Sequence, residues 1–327
     1  MTTTAAEAGT EPAAMPRRNR GALPTPTPRP IRATNHRRHE VLIQWAFVAP
    51  AILYIAFFFG YPVAKNIVMS LQDYTTKTFY TGEAPFVGVA NYVTVIASSL
   101  FPTTIINTAL FTVGSIIGQF AIGLALALFF QRRFPLNSFL RALLLVPWLL
   151  PLIASSAVWK WMLDQDSGVI NELLKALHLG SVPWLVDPNV ALVAVILVNV
   201  WLGIPFNVTI LYSGLQEIPP ELYEAAALDG ATRAQTFWNI TWPNLRPVVS
   251  VVLVLGVVYT LKVLDIILGL TGGGPANSTQ TLATDSYHRS FVEFAFGPGA
   301  AVSNILIVIS LVFSFIYLRS NRRAVDE

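Results

Sequence analysis

Six apolar runs separated by polar segments set the pattern of this 327-residue chain, with approximate cores at 42–68, 104–130, 139–163, 190–215, 248–270 and 300–318. Each is close to the length of about 20 residues that lets a helix cross roughly 30 Å of hydrocarbon. Helices are expected, because a segment in lipid must satisfy its own backbone hydrogen bonds. The segments Gln72–Leu100, Asp164–Asn189 and Thr271–Gly299 are too short for an independent catalytic domain, although Ile170–Leu177 has the pattern of a short amphipathic helix. No internal repeat at a fixed period is visible. Residues 41–320 therefore read as one all-α, six-span membrane domain.

Composition agrees with the pattern. At 54% hydrophobic, 12% charged and a mean hydropathy of +0.57, the chain is too apolar for a soluble domain of this length. There is no cysteine, which excludes disulfides, thiolate metal sites and cysteine nucleophiles. His36, His39, His178 and His288 share no ligand spacing, so no metal site is expected. An even number of spans puts both ends on one side, and the cations say which: seven lie in residues 1–40, three in 131–141, two in 217–247 and three after Leu318, of 21 in all. The positive-inside rule places both termini and the 217–247 segment in the cytoplasm. Residues 1–40, rich in Thr, Ala, Pro and Arg without periodicity, read as a disordered basic tail, and 321–327 as a second cytoplasmic tail. The Arg37-Arg38 pair beside the first span fits a topology signal, or contact with anionic membrane lipid. Nothing suggests nucleic acid binding.

The segment Glu217–Pro247 is the one long, organised, water-compatible stretch between two apolar runs. Pro219 and Pro220 pre-set a helix start, and Gly230 stands where a left-handed C-cap belongs, which predicts a helix over Pro220–Asp229. A second piece over Ala231–Thr241, with Phe237 and Ile240 on one face, is expected to end at Trp242-Pro243. Two short helices at an angle would then project from the membrane.

Glu224-Ala225-Ala226-Ala227-Leu228-Asp229-Gly230, followed by Ile240, Pro243 and Pro247, resembles the EAA loop of binding-protein-dependent ABC importer permeases. Leu270-Thr271-Gly272-Gly273-Gly274-Pro275, with Ser278-Thr279 and Thr281-Leu282, resembles the carbohydrate-uptake branch, in the first-permease type of maltose and glycerol-phosphate transporters. With Val87-Gly88 and Asn91-Tyr92, the resemblance covers about residues 42–320. It implies a type I importer-like permease of a bacterial or archaeal inner or plasma membrane, with no catalytic chemistry of its own. Its partners would be a second, different permease, two copies of a cytoplasmic ATPase and an external solute-binding protein. Glu224, Ala225, Ala226, Leu228, Asp229, Gly230, Ile240 and Pro243 would dock the ATPase. Gly272, Gly273, Gly274 and Pro275 would form an outer turn near the gate or the binding protein. The chain has no GxxxxGK[ST] phosphate loop, so ATP would be held by the partner and no cofactor is expected here.

Polar residues inside spans are candidates for the translocation path, since they are expensive in hydrocarbon and usually face a cavity. These are Asn199, Asn207, Tyr259, Lys262, Asp265, Ser303 and Asn304, with Trp159, Trp161 or Trp201 as stacking faces. Lys262 and Asp265, at i and i+3, would alternatively pair on one helix face. Pro147 and Pro151, and Gly203 with Pro205, are expected to kink or unwind their helices. A secondary transporter driven by an ion gradient leaves the 224–230 segment unexplained. An intramembrane enzyme would need an acid–base or nucleophile cluster that the spans do not supply.

Overall fold

The computed structural model describes residues 34–132 and 134–325. Sixteen α-helices are described: α1 Thr34–Ile55, α2 Tyr61–Ser70, α3 Thr76–Thr81, α4 Ala90–Ile96, α5 Phe101–Phe130, α6 Asn137–Leu144, α7 Val146–Leu149, α8 Leu152–Met162, α9 Val169–Ala176, α10 Pro188–Gln216, α11 Pro220–Leu228, α12 Arg233–Thr236, α13 Trp242–Leu261, α14 Asp265–Leu270, α15 Leu282–Tyr287 and α16 Phe296–Val325. Among the described residues there is no strand, only two isolated bridges. Among the described residues five helical stretches are long and apolar enough to span a membrane: Gln44–Ser70, Phe101–Phe130, Pro188–Gln216, Arg233–Leu261 and Phe296–Tyr317. The pair Asn137–Leu149 and Leu152–Met162, bent by 97°, makes a sixth if taken as one broken span.

Several expectations need correcting. The tail of residues 1–40 lies mostly outside the described residues, and its last part is already helical, because α1 begins at Thr34. At the other end α16 continues to Val325, into the expected C-terminal tail. By contacts the chain divides into the part up to Phe58 and a larger body from Phe59 on. The third span, as expected of Pro151, does break, at Leu150-Pro151, where both residues are extended at ψ 139° and 133°. That follows from proline's missing N–H and its bias of the preceding residue away from helix. Gly203 and Pro205, by contrast, leave α10 continuous.

The larger body is organised around α10, which lies closest to α5. Gly114, Gly118 and Gly123 of α5 face Ile196, Val200 and Asn207 of α10. A methyl group built on Gly118 would come within 2.6 Å of a Val200 methyl, and one on Gly123 within 2.6 Å of Asn207 Cβ. Without hydrophobic drive between helices in lipid, small residues that let backbones approach carry such pairings. Gln119 Nε2 adds a hydrogen bond to the Asn199 carbonyl at 3.0 Å.

Apolar clusters mark the two ends and a flank. Phe111, Val195, Val198, Leu202, Ile266, Ile267 and Leu270 join α5, α10 and α14. Toward the other end Ala127, Leu211, Leu215, Leu245, Val249 and Val252 join α5, α10 and α13. Val95, Leu282, Ala301 and Val302 tie α4 and α15 to α16. An amide and hydroxyl chain supports this flank: Asn66 Nδ2 donates to Asn304 Oδ1 at 2.7 Å, and Asn304 Nδ2 to the Tyr92 hydroxyl at 3.1 Å. The Tyr92 hydroxyl lies 2.8 Å from Ser70 Oγ.

Candidate functional site

The polar segment after α10 forms one short helix and the start of a long one. Pro220 opens α11, as two consecutive prolines predict. Its C-terminus is a Schellman closure: Ala231 N–H donates to the Ala226 carbonyl at 2.9 Å and Gly230 N–H to the Ala227 carbonyl at 3.2 Å. Gly230 sits at φ +73°, a left-handed conformation that glycine adopts without a Cβ penalty. Ala226 faces the body and is buried, whereas Glu224, Ala225, Leu228 and Asp229 are exposed. Leu228 is 90% exposed at the tip of the helix. Glu224 forms no ion pair among the described residues.

The second expected helix is not a separate piece. After Gly230 the chain turns into α12 through a capping box between Thr232 and Gln235, then runs through a π-turn at Phe237–Thr241 straight into α13. Trp242-Pro243 therefore does not end a helix. Pro243 lies in the first turn of α13, just after the wide turn, where hydrogen bonding shifts register and its missing N–H is tolerated. The wide turn also separates Phe237 from Ile240. Ile240 packs on the Leu211–Leu245 cluster, while Phe237 lies against Trp238 and Trp242 with ring centroids 5.1 and 6.2 Å away.

A cavity of about 610 Å³ opens among α5, α7, α10, α13 and α14. Four of the seven expected path residues line it: Asn199, Tyr259, Lys262 and Asp265. Lys262 and Asp265 are not on one helix face, because α13 ends at Leu261 and α14 starts at Asp265. No ion pair joins them among the described residues; Lys262 Nζ instead lies 4.9 Å from the Tyr259 ring centroid. The break leaves both charges exposed on the cavity wall. Asn199 is buried, and its Nδ2 finds no acceptor among the described residues.

Gln119, Trp148, Phe206 and Thr260 also line this cavity and were not singled out by sequence. Gln119 had a visible signal, a lone amide in an apolar run, and Gly203 leaves the space its side chain occupies. Trp148, Phe206 and Tyr259 form an aromatic wall, with ring centroids 6.4 and 5.8 Å apart in succession. The remaining expected path residues are elsewhere. Asn207 Nδ2 bonds back to the Gly203 carbonyl at 2.9 Å, Ser303 accepts from Ser286 at 3.4 Å, and Asn304 belongs to the Asn66–Tyr92 chain. Trp159 and Trp201 pack on each other at 5.4 Å in a separate apolar recess, and Trp161 is exposed.

The glycine-rich segment after α14 is a tied turn. Gly272 and Gly273 have φ of +65° and +92°, and Thr279 Oγ1 donates to the Gly274 carbonyl at 2.8 Å. Pro275 follows through a cis bond. Asn107 of α5 anchors the turn, donating to the carbonyls of Asn277 and Gln280 at 3.2 and 3.0 Å. Next to it Arg289 Nε contacts both oxygens of Asp285 at 3.0 Å, with only 13% and 2% of the two side chains exposed. Burial pushes the Asp285 carboxyl above its ordinary value, and Arg289 opposes that shift. No metal-ligand cluster occurs among the described residues.

Residues 119–326 match the model of the family described as binding-protein-dependent transport system inner membrane component. The trehalose/maltose transport system permease protein MalF of Thermococcus litoralis is 34% identical over 283 residues, covering 86% of this chain and 95% of that one. The sulfoquinovosyl glycerol transport system permease protein SmoG of Agrobacterium fabrum is 33% identical, covering 85% and 90%. A chain in the crystal structure of a bacterial alginate ABC transporter, in complex with an alginate pentasaccharide-bound periplasmic protein, superposes with a TM-score of 0.76 at 22% identity. That match covers 88% of this chain and 97% of the other, and shows a shared fold. By the family match and these relatives, the chain belongs to the binding-protein-dependent transport system inner membrane components, as one of their multi-pass permeases.

Proposed function

We propose that this chain is the membrane-spanning subunit of an ATP-driven importer for a carbohydrate, polyol or sugar phosphate. The observation that carries the reading is the joint presence, in one body, of the capped α11 with its exposed Glu224 and Leu228 and a polar-aromatic cavity between spans. Sugar hydroxyls are matched by carboxylate, amide and ammonium groups, and the apolar faces of a pyranose by aromatic rings. Asp265, Asn199 and Lys262 supply the first, with Trp148, Phe206 and Tyr259 supplying the second. The names of the two curated relatives support a carbohydrate-class cargo.

In this reading Glu224, Ala225, Leu228, Asp229 and Gly230 form the face that enters a groove of a cytoplasmic ATPase, while the buried Ala226, expected on that face, seats α11 on the body. Ile240 and Pro243 join that face to α13, so that α12 and α13 act as one lever. ATP is bound by the ATPase, present in two copies, and a second permease completes the cavity. The Gly272–Pro275 turn lies on the outer side, where an external binding protein would deliver cargo. Both termini are cytoplasmic, in a bacterial or archaeal cell membrane.

Uptake of labelled sugars into vesicles tests the proposal. Uptake is expected to need ATP inside and to persist when the proton gradient is collapsed. Uptake that survives removal of ATP and stops with the gradient would replace this reading with a secondary transporter.

A further inference from the structure

At the end of α5 and α10 that also carries α11 lies a separate cavity of about 690 Å³, lined in part by Gln131, Arg132, Asn137, Arg141, Tyr212 and Gln216. No carboxylate of the described residues lines it. Glu217 and Glu221 are close in sequence but do not reach the wall, and neither arginine forms an ion pair among the described residues. The Arg141 guanidinium is held 4.4 Å from the Tyr212 ring centroid by a cation–π contact. Among the described residues its Nε is buried without an acceptor, and its Nη2 has a long 3.4 Å contact to Ser138 Oγ. A guanidinium so placed lacks the anion its planar fork suits.

Of the surrounding groups the Tyr212 hydroxyl is left as a donor, whereas Asn137 Oδ1 is a buried acceptor without a partner among the described residues. The Tyr212 hydroxyl accepts from Gln216 Nε2 at 2.7 Å, which leaves its own proton to donate. Asn137 Nδ2 donates to the carbonyls of Phe130 and Arg132 at 2.8 and 2.6 Å, and so fixes the turn that carries Arg132. Phe130, Phe134, Leu215 and Ile218 supply an apolar wall to the same cavity. On the adjoining α6, Phe139, Leu140 and Leu143 are exposed, an apolar surface suited to acyl chains. Cations with no acid, set beside an exposed apolar helix at a span end, match a lipid headgroup above its chains.

We propose that this cavity binds the phosphate of an anionic phospholipid headgroup, with Arg141 and Arg132 as its ligands and α6 flanking the acyl chains. A free phosphate shares the headgroup chemistry but has no use for the apolar wall.

The test is native mass spectrometry of the full chain, purified with whatever subunits accompany it, after exchange into mixed phosphatidylglycerol and phosphatidylcholine. The wild type is expected to retain phosphatidylglycerol over phosphatidylcholine. Arg132→Gln with Arg141→Gln is expected to weaken that retention about tenfold or more. Arg141→Lys, which keeps the charge but loses the planar fork, is expected to fall between. Equal retention of the two lipids by the wild type would overturn the proposal without reference to any variant. So would undiminished phosphatidylglycerol binding by the folded double variant. Thermal stabilisation by millimolar inorganic phosphate, with none from phosphatidylglycerol, would also overturn it, by assigning the cavity to a soluble anion.

Discussion

Gly118→Ala tests whether close approach of α5 and α10 holds the body together. The added methyl would lie 2.6 Å from one Val200 methyl, 3.2 Å from the other and 3.5 Å from Val200 Cβ. Valine in a helix has one strongly preferred rotamer, and Val200 is buried, so the helices must separate rather than the side chain turn. Overpacking of this kind costs about 1–3 kcal/mol. The gain in helix propensity from Gly to Ala returns about 0.5–1 kcal/mol. A net loss of roughly 0–2.5 kcal/mol is expected. Gly256→Ala is the matched comparison, because its methyl would meet only Ile116 Cγ1, at 3.9 Å. It is expected to leave the melting temperature unchanged or raise it. Thermal unfolding of both variants in one detergent measures the difference. If they melt together, or Gly256→Ala melts lower, the packing argument is wrong.

Other consequences are as specific. Arg289→Gln leaves the Asp285 carboxyl buried without its partner, a change of about 3–5 kcal/mol for a buried pair. The folded Asp285 value is raised, so this group's stability is fullest below the ordinary carboxylate value and is lost as pH rises through the folded value. Arg289→Gln is therefore expected to lower the melting temperature more near pH 8 than near pH 5, and equal losses would refute the burial argument. Asp265→Ala is expected to reduce cargo-dependent uptake while leaving assembly intact, judged by vesicle uptake beside subunit recovery; a complex that falls apart would show a structural role instead. Leu228→Ala removes most of an exposed side chain whose burial is worth about 1.5–3 kcal/mol. ATPase binding to the purified chain is expected to weaken about ten- to hundredfold, and unchanged affinity would remove Leu228 from the contact.

The apolar runs located the spans because lipid demands long uninterrupted hydrophobic helices. Pro219, Pro220 and Gly230 marked α11 because their constraints on φ act within the local chain. Pro243 misled for a related reason: proline forbids one hydrogen bond, and whether a π-turn removes the need for that bond depends on the longer chain. The break after Leu261 had no proline or glycine to mark it, and the charge at Lys262 is by itself compatible with a continuous helix. It arises because Ile266, Ile267 and Leu270 are buried with Phe111 and Val198, and Gly269 seats α14 on Ser156 of α8. That tertiary packing carries Lys262 and Asp265 to the cavity wall, one of the two arrangements that the sequence left open, and removes the i, i+3 pairing that was the other. Asn207, Ser303 and Asn304 were equally polar in sequence, but hydrogen bonds within and between helices satisfy them. Composition cannot separate an amide that faces cargo from one that holds a neighbouring turn.

The coupling role of α11 is tested most directly by purifying the chain from its native membranes in mild detergent and identifying stoichiometric companions by mass spectrometry, beside the double variant Glu224→Lys, Gly230→Asp. The account predicts an ATPase subunit with the unaltered chain and its loss from the variant, while the variant still inserts in the membrane. An ATPase that stays bound to the variant, or none with either form, would contradict it.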